Sequence, residues 1–426
     1  MKKYETYRDS GIERIDEIPS HWSTTKIKYT GKDSKNSFID GDWIESKDLS
    51  DSGIKYITSG NIGHGFYKEQ GNGFISEETF DRLNCIELYE GDLVISRLFL
   101  PVGRSCILPN LKNRVVTCVD NVILRPKQQY SKYFLNYQFN SVRYNEFTKL
   151  ISRGVTLTRI SRTMLGNNQI VIPNLNEQQQ IVEFLDIKTS LIDSLIEKTQ
   201  QKIKLLKEKR ISLINHVVTK GLNPNVELKD SGVKWIGEIP IHWLCGKLKY
   251  YSNRIGDGLH STPKYVDSSQ FRFINGNNLI KGSIKYFDST KCVSEEEYNK
   301  HYIELDEKTL LLSINGTIGN LSFYNGEKVI LGKSSCYIKT TNTINKYFLY
   351  YLLDSETIKK YFTFELTGTT IFNLSLNSIR NTPIPLPNLD EQQQIVEFLD
   401  EKTNIIDTTI TKEEKRIELL KMRIKG

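Results

Sequence analysis

From Glu177 to Val218 the chain reads EQQQIVEFLDIKTSLIDSLIEKTQQKIKLLKEKRISLINHVV, with apolar residues at three- and four-residue steps and neither Pro nor Gly. That period predicts one long helix whose stripe runs through Ile181, Leu185, Ile192, Leu195, Ile203, Leu206, Leu213 and Val217. Asn176 is placed to cap its start, Gln179 sits at the capping-box position, and Gly221 lies just past the end. The C-terminal segment has the same design, with Asp390 as cap, Gln393 three residues on, and Ile395, Leu399, Ile406, Ile410, Ile417, Leu420 and Ile424 on one face. About forty residues at 1.5 Å each make a rod of roughly 60 Å, so each stripe needs a long partner. The simplest burial is one helix against the other, as an antiparallel coiled coil.

Between these helices the pattern changes. Short runs rich in β-branched and aromatic residues, such as IKYITSGNI, DLVISRLFL and RVVTCVDNVILRP, end at Gly, Asn or Pro and predict strands and turns. FRFINGNNLI, TLLLSINGTIGNLSFY and SSCYIKTT are their counterparts further on. KYFLNYQFNSVRYNEFTKL and KYFLYYLLDSETIKKYFTFEL predict amphipathic helices.

The long helices open on almost the same words. PNLNEQQQIVEFLD (Pro173 to Asp186) and PNLDEQQQIVEFLD (Pro387 to Asp400) agree at thirteen of fourteen positions. DSGIERIDEIPSHW (Asp9 to Trp22) and DSGVKWIGEIPIHW (Asp230 to Trp243) recur in the same order, so the chain is a tandem duplication of a unit of some two hundred residues. That period is far too long for a solenoid, whose repeats run to about 20–50 residues. The expected fold is α+β: two α/β domains separated by two long antiparallel helices forming a coiled coil, with an internal pseudo-twofold repeat. The expected boundaries are a first domain over 1–175, a central helix over 176–220, a second domain over 221–388 and a C-terminal helix over 389–426.

Composition is that of a globular chain: 426 residues, 38% apolar, with 58 Lys and Arg against 51 Asp and Glu for a net charge of +7. A polyanionic partner is permitted by that balance but not required by it. No apolar run approaches the ~20 residues of a membrane span and the N-terminus lacks a signal-peptide segment, so the cytoplasm is the expected compartment. The six cysteines show no CxxC pair, and no histidine spacing suits zinc. His21 and His242 follow Ile-Pro-x and are expected in turns that dock Trp22 and Trp243.

Catalytic signatures are missing. No two prolines are adjacent, which removes the Asp/Asn-Pro-Pro-aromatic loop of amino-methyltransferases, and no Pro-Asp dipeptide starts a nuclease motif. Gly326 to Ser335, GEKVILGKSS, has five residues between its glycines where a phosphate-binding loop has four, and is expected to be strand and turn. An enzyme acting alone is not expected.

The ordered, duplicated motifs resemble the specificity subunit of Type I restriction-modification enzymes over essentially the full chain. The resemblance implies two target-recognition domains, each reading one half of a split double-stranded DNA site, on a ruler of paired helices. It implies no cofactor in this chain and no catalysis by it. Two modification subunits would carry S-adenosylmethionine and methylate adenine, and two restriction subunits would use ATP and Mg. Partner-binding candidates on the helices are Glu177, Gln178 and Gln179, and Glu391, Gln392 and Gln393.

Candidates for DNA contact come from Gly- and Asn-rich loops and nearby basic residues. In the first domain these are Ser59, Asn61, His64, Arg97, Arg104, Arg153, Thr156, Arg159 and Arg162. In the second they are Asn275, Asn277, Asn278, Asn315, Thr317, Lys333, Thr369, Thr370 and Asn373. Aligning Gly154 with Gly368 sets Arg159 opposite Asn373, residue types that favour guanine and adenine edges respectively. The alternative function is a bivalent DNA-binding regulator that works without a methyltransferase partner.

Overall fold

The computed structural model describes residues 4–71, 73–154, 157–368 and 372–425, the side chains of 423–425 excepted. It divides into two compact units, Met1–Lys198 with Arg416–Gly426, and Thr199–Lys415. Both divisions fall inside the long helices, Leu175–Lys220 and Leu389–Lys425.

In the first unit a four-stranded antiparallel sheet orders Phe38–Asp40, Asn121–Leu124, Leu93–Ser96 and Ser105–Ile107. A second sheet orders Val115–Thr117, Ile54–Ile57, Phe74–Ile75 and Leu49–Ser50, its first pair being parallel. The second unit repeats both. Ser252–Asp257, Ser335–Thr340, Thr309–Ser313 and Leu321–Phe323 make the antiparallel sheet. Val329–Leu331, Phe271–Ile274, Lys291–Val293 and Tyr265–Val266 make the mixed one, again with a parallel first pair. The expected amphipathic helices are present but broken into Lys132–Phe139 with Val142–Ile151, and Lys346–Asp354 with Glu356–Glu365. Ser141 and Ser355 cause each break by accepting the N–H of Tyr144 and Ile358 as N-caps.

The duplicated DSG forms one turn twice. Asp9 and Asp230 each accept the N–H of the glycine two residues on at 2.9 Å, and Gly11 and Gly232 hold φ of +68° and +73°, where a Cβ is disfavoured.

Within the second unit, Thr199–Lys220 of the first long helix runs antiparallel to the second. Lys202 meets Glu413 at 2.6 Å and Arg210 meets Asp407 at 3.1 Å, so numbers rise along one helix as they fall along the other. Ile214, Val217 and Val218 join Ile395, Val396 and Leu399 in the core around the wholly buried Trp243. On the second helix Ile395, Leu399, Ile406, Ile410, Ile417 and Leu420 are buried as the stripe predicts, and the side chain of Ile424 lies outside the described residues. The first helix departs from its stripe at Leu195, which is 40% exposed. The caps also differ from expectation: Asn174 and Asn388, not Asn176 and Asp390, accept the N–H of Glu177 and Glu391 at 3.0 and 2.9 Å. Both helices start two residues earlier than caps at Asn176 and Asp390 would place them, at Leu175 and Leu389, which moves the cap position back. Gly221 ends the first helix with φ of +74°, as expected.

Candidate nucleic-acid interface and helix motifs

The two duplicated motifs are neighbours in space, and each explains the other. His21 contacts Glu177 at 3.0 Å, and His242 contacts Glu391 at 2.9 Å. Glu177 also accepts from the Tyr4 hydroxyl at 2.6 Å. Partial burial works against the Glu177 charge, but hydrogen bonds from Tyr4, Trp22 and His21 outweigh it and hold the carboxyl below its usual range. Gln178 and Gln392 are wholly buried clamps. Gln178 accepts the N–H of Ser131 at 2.8 Å and donates to the carbonyls of Gln129 and Pro173, while Gln392 does the same for Asn345, Thr343 and Pro387. Tyr137 then donates to Asp186 at 2.6 Å and Tyr351 to Asp400 at 2.5 Å.

Of the six partner candidates, Gln178 and Gln392 therefore have no surface to offer, because the helix start needs them inside. Glu177 and Glu391 are half-buried, and Gln179 and Gln393 reach solvent. Beside Gln179 a groove of about 620 Å³ is lined by Lys132, Tyr133, Leu175, Val182, Glu183 and Ile187. The adjoining helix face exposes Phe184, Ile187 and Leu191. Sequence reading missed Lys132 and Tyr133, although Lys346 and Tyr347 repeat them.

The DNA candidates separate in the same way. Ser59 and Asn61 are buried in a short 3₁₀ turn, Ser59–Asn61, where the Asn61 carboxamide accepts the N–H of Thr58 at 2.8 Å and donates to Lys68 and Gln70 carbonyls. Asn278 repeats this in the Gly276–Asn278 turn, accepting the N–H of Asn275 at 3.0 Å and donating to Lys285. Arg104 is buried and spends its guanidinium on the carbonyls of Ser59, Ile62, Leu98, Phe99 and Pro101. Arg97 is buried against Asp40 at 3.0 Å, with the Ile160 and Val119 carbonyls as further acceptors. These side chains are buried and hold the backbone of their loops. His64, Asn277, Thr317 and Lys333 are exposed, and Asn275 is half-buried. Thr156, Thr369 and Thr370 lie outside the described residues.

What remains converges at one junction in each unit. In the first, the loop after Leu93–Ser96 meets a hairpin in which Arg153 and Arg159 exchange backbone hydrogen bonds at 2.9 and 2.8 Å, and Leu98 pairs with Arg159. Arg159 reaches Asp120 at 2.8 Å and Arg162 reaches Asp40 at 3.6 Å, so Arg153, Arg159 and Arg162 form a solvent-facing cationic rim. Desolvation raises the Asp40 carboxyl despite the opposing pull of Arg97, Arg162 and Arg159. Asp40 and Asp120 orient the rim, and sequence reading missed both because nothing local marks them. In the second unit the same junction is made of amides: Asn315 pairs with Asn373 and its Nδ2 donates to Asn373 Oδ1 at 3.3 Å. Ser334 donates to Asn275 at 3.0 Å and accepts the N–H of Gly276.

Among the described residues no group of His, Cys, Asp and Glu is arranged to hold a metal ion, and no helix is long and apolar enough to cross a membrane.

A family model for the Type I restriction modification DNA specificity domain matches residues 32–205 and again 255–419. The chain is 30% identical over 302 residues to the Type I restriction enzyme MjaVIII specificity subunit of Methanocaldococcus jannaschii, covering 68% of each. It is 24% identical to the putative MjaX specificity subunit of the same organism over 98% of this chain and 95% of that one. Among solved structures, the HsdS subunit of Thermoanaerobacter tengcongensis shares the fold with TM-score 0.60 at 14% identity, covering 96% of this chain and 95% of that one. A chain from a study of complex assembly and conformational transition in the type I R-M system gives TM-score 0.70 at 15% identity over 96% of each. The duplicated match, spanning most of both repeats, shows that this chain belongs to the DNA specificity subunits of Type I restriction-modification systems.

Proposed function

We propose that the chain binds an asymmetric, bipartite double-stranded DNA site, one half read by each unit, and recruits the subunits that act on it. The observation that carries this reading is one scaffold built twice with different chemistry at the same place, an arginine rim around Arg159 and an amide cluster around Asn373. Phosphates attract the cationic rim whatever the sequence, whereas Arg on guanine and Asn on adenine discriminate between bases. The two long helices act as the ruler between the half-sites.

The chain is non-catalytic by itself. Base flipping and methyl transfer belong to two modification subunits holding S-adenosylmethionine, and translocation to two restriction subunits using ATP and Mg, in the cytoplasm. Gln179 and its groove, with Phe184, Ile187 and Leu191 alongside, supply an apolar face with a polar rim of the kind partner helices use. Gln393, Lys346 and Tyr347 recur at the matching positions of the second unit, which fits two copies of one partner.

Methylation-site mapping of the genome encoding this chain, before and after deletion of its gene, tests the reading. Loss of one split motif of two unlike halves is expected, and an unchanged methylation pattern would contradict it. Co-purification with a methyltransferase subunit separates this function from that of a regulator without one.

A further inference from the structure

At the DNA-reading junction the two units make the same turn with different residues. In the second unit Gly316 has φ of +73° and donates its N–H to the Phe372 carbonyl at 3.3 Å, while Leu374 donates to Ile314 at 2.8 Å. In the first unit Phe99 donates to Thr158 at 2.9 Å, and Ile160 donates to Arg97 at 3.0 Å. The matching bonds make Phe99 the counterpart of Gly316. Phe99 too is left-handed, with φ of +59°, a conformation easy for glycine and unfavourable for a bulky side chain.

Burial does not account for the choice, since the Phe99 side chain is 47% exposed. Nor does steric need, because a Cβ built on Gly316 meets no heavy atom within 4 Å. The turn is nevertheless tied down, with the Arg104 guanidinium bonded to the carbonyls of Leu98, Phe99 and Pro101. Leu100 (50% exposed) and Leu157 (59% exposed) adjoin it in sequence and across the hairpin, and Arg153, Arg159 and Arg162 rim the patch. In the second unit the aromatic comes from the other side of the same hydrogen bond: Phe372, 52% exposed, stands where the first unit has Thr158. Each unit thus displays one phenylalanine at its junction, from opposite strands.

Resting on the DNA-reading function above, we propose that Phe99 and Phe372 are apolar wedges that enter a groove of the duplex and pack on base atoms. Strain retained at an exposed position marks function, and the arginine rim fits a phosphate-lined partner. Apolar side chains in such positions contact thymine methyl groups or slip between base steps.

The test uses the full chain with Phe99→Gly and, separately, Phe372→Thr, on a duplex carrying the mapped bipartite site and on an unrelated duplex. Phe99→Gly relieves the backbone and is expected to raise Tm by about 2–4 °C. It is also expected to weaken binding to the cognate duplex roughly ten-fold, about one contact's worth, with binding to the unrelated duplex unchanged. Phe99→Leu should restore most of the loss, and Phe372→Thr should weaken cognate binding without lowering Tm. Unchanged cognate affinity in both variants, an equal loss on both duplexes, or altered self-association with DNA binding intact would overturn the wedges. Wild-type chain that bound both duplexes equally would instead refute the DNA-reading function itself.

Discussion

Arg159 and Asn373 occupy equivalent positions, so their replacement should act on different halves of the same site. Arg159→Ala is expected to lose about 1–3 kcal/mol of discrimination at one base pair of the first half-site and none at the second. Asn373→Ala should show the converse, and binding selection from randomised duplexes reads both. Gln178 has another role, because its removal strands the partly buried N–H of Ser131 and two carbonyls. Gln178→Leu should therefore destabilise the first unit by about 2–3 kcal/mol in urea unfolding, as each unsatisfied buried group is costly. Asp42 gives a pH-dependent case. Burial pushes its carboxyl up to about 6, against hydrogen bonds from the Ile86 N–H and the Cys85 thiol. Between its unfolded value of about 3.9 and 6, the unfolded chain releases a proton that the folded chain keeps, so rising pH favours unfolding across that window. Asp42→Asn should match wild type in Tm below pH 4 and exceed it above pH 6; a Tm difference that does not vary with pH would contradict this.

At the scale of elements, the period of apolar residues located both long helices and the short strands, because burial of one face is what those elements exist to satisfy. The caps escaped it. Several polar residues precede each helix, and only the backbone start decides that Asn174 and Asn388 are the acceptors. The EQQQ motif was legible as a repeat but not as a division of labour. One glutamine clamps buried backbone while its neighbour faces water, and side chains of one type in a row carry no sign of which is which. Asp40 and Asp120 were invisible for a related reason: they meet Arg162 and Arg159 across long sequence separations that only the folded sheets close.

Across the whole molecule, duplication was the strongest signal in the sequence, and the repeated sheet orders show that it extends to topology. The candidate site was less legible. Buried Arg97 and Arg104 look in sequence like exposed Arg153 and Arg159, since residue type alone does not separate a cation that holds a loop from one that faces solvent. If two separate readers sit on a helical ruler, the spacing of methylated half-sites tests both together. Inserting seven helical residues between Lys198 and Thr199, and seven between Lys415 and Arg416, lengthens the ruler by roughly 10 Å, about three base pairs. Mapped methylation should then show the same two half-sites with the gap widened by that amount; an unchanged gap, or altered half-sites, would contradict it.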